Sequence, residues 1–153
     1  MKTVTATKKD AEEVFGVIKE TVLTVYPGYY PPAVTSWFAN ELHGFARTAE
    51  EIAAGQIYAL KGVRIFGTVC IKEDTVHGLF VLPGYERRGF GALLLRFAEK
   101  VIAANYPVAR LDSSLPAEQF YLRQGYAPEG EEEAAVYGER LVWKKMAKRL
   151  RED

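Results

Sequence analysis

The 153-residue chain balances its charge, with 20 lysines and arginines against 20 aspartates and glutamates. This balance argues against a protein that coats nucleic acid, because such binding requires many phosphate contacts. No stretch approaches the roughly 20 apolar residues that span a bilayer, and the N-terminus lacks the apolar core of a signal peptide. The single cysteine, Cys70, has no partner for an internal disulfide. We therefore expect one soluble, cytoplasmic domain over residues 1–153, without nucleic-acid or membrane partners.

The first third of the chain predicts a short strand and three helices. Apolar residues recur at helical spacing after Asp10, and the breaker pair Pro27-Gly28 ends that pattern. Thr48 and Glu51 have the spacing of a capping box, which predicts that the third helix begins at Thr48. His43, just before it, is expected to be solvated. The predicted elements are a strand over 4–7 and helices over 10–26, 34–42 and 48–55.

The remainder alternates between strands and helices. The segment 75–82 is apolar at nearly every position, so it is expected to be a central strand covered on both faces. A long amphipathic helix and another strand follow it, which makes one βαβ crossover in a mixed α/β sheet. The acidic run 129–133 is interpreted as a solvated edge. The predicted strands cover 56–60, 63–71, 75–82, 108–111, 127–136 and 140–146, and the predicted helices cover 90–106 and 116–123.

The loop before the long helix has the composition of a phosphate-binding segment. Unpaired N–H groups at a helix start carry partial positive charge and suit an anion. Gly89 and Gly91 allow the backbone to approach a ligand closely, and Arg87 and Arg88 add positive charge. A P-loop would require Gly-Lys-Ser/Thr, which is absent, and Leu94 occupies the third-glycine place of a dinucleotide fingerprint.

Two motifs together resemble the GNAT superfamily of acyl-CoA N-acyltransferases. Pro83 and Gly89-Phe90-Gly91 match that family's pyrophosphate loop, although Glu86 stands where the family has Gln or Arg. About thirty residues later, the segment 117–126 resembles the family signature Ala-x-x-Phe/Leu-Tyr-x-x-x-Gly-Phe/Tyr. The resemblance implies a GNAT-like fold of the α/β class. Its central mixed, mostly antiparallel sheet would have about six to seven strands flanked by helices.

The resemblance also implies acetyl-CoA as co-substrate and no metal. The pantetheine arm would lie between the strands 75–82 and 108–113 and pair with main-chain groups there. The residues implied to contact the cofactor are Phe80, Val81 and Leu82 on the strand, Arg87, Arg88, Gly89, Phe90, Gly91 and Ala92 in the loop, and Ser113 and Ser114 after the next strand.

Two residues are candidates for the chemistry. Tyr121 occupies the position of the family's general-acid tyrosine and would protonate the departing thiolate; the alternative is a tyrosine that only packs its helix against the sheet. His77 falls where the family often has a glutamate base, and an ordinary histidine pKa suits that task. The alternative for His77 is a half-buried strand histidine.

The acceptor is expected to contact the aromatic N-terminal region, through Tyr26, Tyr29, Tyr30 and Trp37. Such rings can hold a cationic amine, and they can equally be core. The leading hypothesis is an N-acetyltransferase that moves an acetyl group directly to a primary amine of a small molecule. The alternatives are a protein lysine or N-terminal acetyltransferase, an acyl-CoA-binding sensor without turnover, and another kind of nucleotide-binding protein. A homodimer is left open.

Overall fold

The computed structural model, which describes residues 1–152, is a mixed sheet with helices on both faces. The strands are β1 (Lys2–Thr5), β2 (Ile57–Lys61), β3 (Ile65–Lys72), β4 (Thr75–Val81), β5 (Val108–Ser113), β6 (Ala127–Val136) and β7 (Glu139–Arg149). The helices are α1 (Ala11–Val25), α2 (Pro32–Trp37), α3 (Phe45–Ala53), α4 (Phe90–Ala103) and α5 (Glu118–Arg123), and a π-helical turn, Phe38–Leu42, extends α2. The strand order is β1-β2-β3-β4-β5-β7-β6, and only β4 and β5 pair in parallel. The predicted fold class is confirmed.

The core has two layers, one on each face of the sheet. The first lies under α1, α2 and α3 and includes Val22 and Phe80, and the second lies under α4 and α5 and includes Val76 and Leu94. β4 contributes to both layers, which confirms that this strand is central and covered on both faces. Complete burial of a side chain such as Leu94 stabilises the fold by about 1.5–3 kcal/mol.

Helix α3 begins at Phe45, so the predicted start at Thr48 is wrong. The Thr48 N–H already donates a helical hydrogen bond to the Gly44 carbonyl at 3.0 Å. A Cβ at Gly44 would lie 2.3 Å from the Asn40 carbonyl oxygen, so this close approach of backbone requires glycine. Phe45 packs edge-on against Phe15, with ring centroids 5.5 Å apart. Tertiary packing therefore starts the helix three residues before the capping-box pattern.

The C-terminal hairpin places the acidic run at the sheet edge. Tyr137 and Gly138 join β6 to β7 with φ angles of 50° and 79°, which suits the twist of a two-residue hairpin. Glu132 pairs with Lys145 of β7 at 3.3 Å, and the glutamates of β6 are exposed. The interpretation of 129–133 as a solvated edge is confirmed. Within residues 1–152, no helix combines the length and apolarity needed to cross a bilayer.

Candidate active site

A β-bulge separates the two parallel strands at the centre of the sheet. β3 pairs Ile71 with Val76 and Cys70 with Gly78, which leaves His77 unopposed. β5 pairs with β4 only through Thr75 and Val76, although both strands continue beyond these residues. A bulge bends its strand and increases its twist, so β4 diverges from β5 where His77 is inserted. A gap therefore opens between the strands from His77 onward.

The register of β4 determines which main-chain groups face this gap. The Leu82 N–H donates to the Phe66 carbonyl at 2.8 Å. Since hydrogen bonding alternates along an antiparallel ladder, Phe80 also bonds toward β3, whereas Leu79 and Val81 direct their main-chain groups toward β5. The Val81 carbonyl already accepts a hydrogen bond from Thr21 Oγ1 at 3.2 Å.

This register corrects the predicted main-chain contacts. Of Phe80, Val81 and Leu82, only Val81 turns its N–H toward the gap. The Leu79 N–H and carbonyl also face it, and sequence reasoning missed them. Apolarity identifies a strand, but the direction of each N–H depends on pairing with β3, which the sequence does not reveal.

The loop between β4 and α4 has an unusual backbone. Gly84, Arg87 and Gly89 all have positive φ, at 93°, 63° and 81°. Positive φ is costly for a residue with a side chain, and such strain often occurs at binding sites. The Glu86 carboxylate accepts a hydrogen bond from the Gly84 N–H at 2.8 Å, so it closes the turn within the loop. The Arg88 guanidinium lies 4.9 Å from the Tyr85 ring centroid.

Helix α4 begins with unpaired N–H groups beside this loop. Gly89 is its N-cap, without a side-chain cap, and the Leu93 N–H makes the bond to the Gly89 carbonyl at 3.0 Å. The N–H groups of Phe90, Gly91 and Ala92 therefore precede the helical ladder and have no acceptor in it. A Cβ at Gly91 would lie 3.3 Å from the Phe120 ring, so glycine also allows α4 to pass close to α5.

The gap widens into a cavity of about 240 Å³. Its walls come from β4, the end of β5, the N-terminal helices, α5 and β7. The residues that line it are Tyr26, Tyr30, Trp37, Phe38, Leu42, His43, Thr75, Val76, His77, Gly78, Leu79, Phe80, Asp112, Ser113, Ser114, Ala117, Tyr121, Leu141 and Trp143. Both predicted catalytic residues, Tyr121 and His77, line the same cavity. Among residues 1–152, no group of three or more His, Cys, Asp or Glu side chains has the arrangement of a metal site.

Tyr121 is buried in the wall of the cavity, with 5% of its surface exposed. Burial and the neighbouring Tyr26 raise the pKa of its hydroxyl, so the group remains protonated at neutral pH. Within the described residues, its hydroxyl has no hydrogen-bond partner. The Tyr121 hydroxyl therefore carries a proton that it can donate to a molecule in the cavity.

His77 lies at the bulge, between groups of opposite charge. Partial desolvation and Lys72 lower its pKa, and the carboxylates of Glu51 and Asp112 oppose that shift. Glu51 is itself paired with Lys72 at 2.7 Å. His77 is therefore neutral at pH 7 and can accept a proton.

His43 also lines the cavity, and the prediction that it is solvated is wrong. Its ring lies 5.0 Å from the Phe80 ring and 6.2 Å from the Phe38 ring. Burial, followed by the charge of Arg47, lowers the pKa of His43 to about 4. The chain turns inward at Gly44, which places His43 between the π-helical turn and β4. No local sequence pattern predicts that the His43 side chain is buried there.

Three of the four predicted acceptor residues form a wall of the cavity. Tyr26, Tyr30 and Trp37 line it, and the Tyr26 and Tyr30 ring centroids are 5.5 Å apart. The Tyr30 hydroxyl accepts a hydrogen bond from the Leu115 N–H at 2.8 Å, which ties the wall to the segment before α5. Tyr29 is 53% exposed and lies outside the cavity, so the structure does not place it with the other three residues.

Ser113 and Ser114 lie where β5 ends at the cavity. The Ser113 hydroxyl donates a hydrogen bond to the Ser114 carbonyl at 2.9 Å, so its proton is already used within the turn. The Ser114 side chain partly opposes the rise that burial causes in the pKa of the Tyr26 hydroxyl. The hydrogen bond between Ser113 and Ser114 thus stabilises the turn that faces the gap.

The comparisons with known proteins show the family and the fold of the chain. Residues 39–128 match the family model of the acetyltransferase (GNAT) domain, which is more than half of the chain. The chain belongs to the GNAT acetyltransferase family. No curated protein matches the sequence.

Solved structures of this family have the same fold as the chain. A GCN5-related N-acetyltransferase (aminotransferase, class-II) from Rhodopseudomonas palustris is 21% identical with a TM-score of 0.88, covering 97% of this chain and 94% of its own. PaiA N-acetyltransferase from Thermoplasma acidophilum, in complex with coenzyme A, is 19% identical with a TM-score of 0.77, covering 97% and 98%. YncA from Salmonella typhimurium, with its cofactor acetyl-CoA, is 16% identical with a TM-score of 0.73, covering 100% and 95%.

Proposed function

We propose that this GNAT protein is an acetyl-CoA-dependent N-acetyltransferase that transfers the acetyl group directly to a primary amine of a small molecule. The observation that carries the proposal is the continuity of the site. The glycine loop and the open start of α4 adjoin the gap between β4 and β5, and that gap leads to the cavity with Tyr121 and His77.

The residues present fit acetyl-CoA. The unpaired N–H groups of Phe90, Gly91 and Ala92 suit a pyrophosphate, and Arg87 and Arg88 are exposed beside them. The main-chain groups of Leu79 and the N–H of Val81 suit the amide-rich pantetheine arm, because both can exchange hydrogen bonds as another strand would. When bound, acetyl-CoA supplies a thioester carbonyl that is open to attack by an amine.

His77 and Tyr121 would handle the two proton transfers. The ammonium group of the acceptor first loses one proton to solvent, and His77, neutral at pH 7, then accepts the second proton as the amine nitrogen bonds to the carbonyl carbon. Tyr121 donates its proton to the sulfur as the carbon–sulfur bond breaks. The proton on His77 returns through solvent to the Tyr121 oxygen, so the products are an acetamide and the free thiol. Holding the two substrates in line in one ternary complex contributes much of the acceleration.

The walls of the cavity favour a small acceptor over a protein. Aromatic rings from the N-terminal helices close one side, and β7 closes another through Leu141 and Trp143. A cavity of about 240 Å³ is small beside the usual ligand pockets of roughly 300–1,000 Å³. A lysine on a folded protein would need an open groove instead.

Calorimetric titration and a thiol-release assay together test this function. We expect saturable binding of acetyl-CoA and none of ATP or NAD, followed by amine-dependent release of free thiol. Binding of acetyl-CoA without transfer to any amine would instead indicate the sensor. Binding of ATP or NAD without acetyl-CoA would mean that the loop holds another nucleotide.

A further inference from the structure

The acceptor side of the cavity is lined by a connected set of aromatic rings. Phe38 lies at its centre, with ring centroids 4.9 Å from Tyr26, 5.1 Å from Tyr30 and 5.2 Å from Trp37. Trp143 of β7 lines the cavity as well. A surface of this kind is complementary to an apolar body, and its ring faces attract a single cation.

The hydroxyls of the two tyrosines interact with the segment at the end of β5. The Tyr30 hydroxyl accepts a hydrogen bond from the Leu115 N–H, and Ser114 partly opposes the rise that burial causes in the pKa of Tyr26. Burial raises the pKa of both hydroxyls, that of Tyr26 to about 12, so neither supplies a negative charge. The aromatic wall therefore offers rings rather than carboxylate-like groups to a bound acceptor.

Negative charge at the cavity is confined to one place. Among the described residues that line it, Asp112 is the sole carboxylate. Glu51 lies behind His43 and His77 in an adjoining small cavity, and Lys72 neutralises it. The two lining histidines have lowered pKa values, so at pH 7 they neither repel nor compensate an ammonium group. The cavity can thus compensate one positive charge, at Asp112.

We propose that the acceptor is a monoamine: one ammonium group, recognised by Asp112, on an apolar body of aromatic size held by the rings around Phe38. This inference rests on the proposed function and names its substrate class. A second ammonium against the rings would gain only cation–π attraction, which does not offset the loss of its hydration. Polyamines and lysine-rich peptides are therefore poor acceptors.

A matched pair of amines tests the charge requirement. Pentylamine and putrescine have the same number of heavy atoms, and they differ in that a terminal methyl group replaces the second ammonium. We expect kcat/KM for pentylamine to exceed that for putrescine by about tenfold or more. Phenethylamine should exceed pentylamine, because its ring fits the aromatic wall. Equal or better turnover of putrescine would overturn the proposal.

Three variants test the residues, and Tyr29→Leu is the matched control because Tyr29 lies outside the cavity. Trp37→Leu should abolish the preference for phenethylamine over pentylamine, and the control should keep it. Asp112→Asn should raise KM for both monoamines without changing acetyl-CoA affinity. Leu42→Glu adds a second carboxylate and should shift the ratio toward putrescine.

The outcomes separate this proposal from the function on which it rests. If Trp37→Leu and the control give the same preference, or Asp112→Asn leaves KM unchanged, the substrate class is wrong while acetyl transfer stands. If acetyl-CoA does not bind in calorimetry and no amine releases thiol, both are overturned.

Discussion

The role of Tyr121 as a proton donor is best tested by comparison with a neighbouring tyrosine. Tyr121 and Tyr126 lie in the same core layer, with ring centroids 5.8 Å apart. Their hydroxyls differ: Tyr126 donates to the Glu99 carboxylate at 2.9 Å, whereas Tyr121 faces the cavity without a protein partner among the described residues. Replacement of each by phenylalanine removes one oxygen atom, so the two variants are closely matched.

The expected effects of the two substitutions fall on different quantities. Tyr121→Phe should lower kcat by about 10²–10⁴-fold, the usual contribution of a general acid, with little change in the melting temperature. Tyr126→Phe removes a hydrogen bond to a charged group and should cost about 1.5–3 kcal/mol of stability. In a chain of this size, that lowers the melting temperature by roughly 3–12 °C. Turnover per folded molecule should be unchanged.

Steady-state thiol release and thermal unfolding measure both effects on the same samples. Acetyl-CoA affinity should be nearly equal in both variants, since neither hydroxyl faces the loop between β4 and α4. Full turnover by Tyr121→Phe would remove the proton-donor role. A similar loss of kcat in both variants would mean that packing, rather than the Tyr121 hydroxyl, carries the effect.

Three further predictions concern the loop, the core and pH. Glu86→Gln keeps an oxygen that accepts from the Gly84 N–H and removes a negative charge from the loop, so calorimetry should show tighter acetyl-CoA binding. Glu86→Ala also removes the hydrogen bond that closes the turn and should weaken binding. Gly67→Ala should lower the free energy of unfolding by about 1–3 kcal/mol, because its Cβ would lie 2.7 Å from Leu94 Cδ1. An unchanged midpoint in urea unfolding would contradict this. The pKa of His43 falls from 6.5 to about 4 on folding, so the unfolded chain binds more protons between these values. The free energy of unfolding should therefore drop by up to about 3 kcal/mol as pH falls through that window. In His43→Leu, the free energy of unfolding should change less over the same pH range.

Local patterns were sufficient to predict the strand, loop and helix that surround the proposed cofactor site. The apolar strand β4, the glycine loop and amphipathic α4 follow one another in sequence, so their order and contacts are local. The motif 117–126 is also local, and α5 (Glu118–Arg123) covers its central part, including Tyr121. These segments are where the predictions and the structure agree most closely.

The proposed acceptor side depends on contacts between distant parts of the chain. His43 is enclosed by Phe38 and Phe80, and Asp112 reaches the cavity only because β5 pairs with the start of β4. Tyr29 and Tyr30 are adjacent, yet only Tyr30 turns inward to bond to Leu115. Two adjacent tyrosines give no sequence signal for which ring is buried. The 3₁₀ turn that follows α1, Tyr26–Gly28, directs the Tyr30 ring inward.

The central claim is that coenzyme A binds along the loop and in the gap between β4 and β5. Hydrogen exchange with and without coenzyme A measures this directly, segment by segment. We expect slower exchange across residues 78–92, which include the unpaired N–H groups of β4 and α4, and no change in the β6 edge strand. Unchanged exchange across 78–92 at saturating coenzyme A, or protection confined to other segments, would contradict the account.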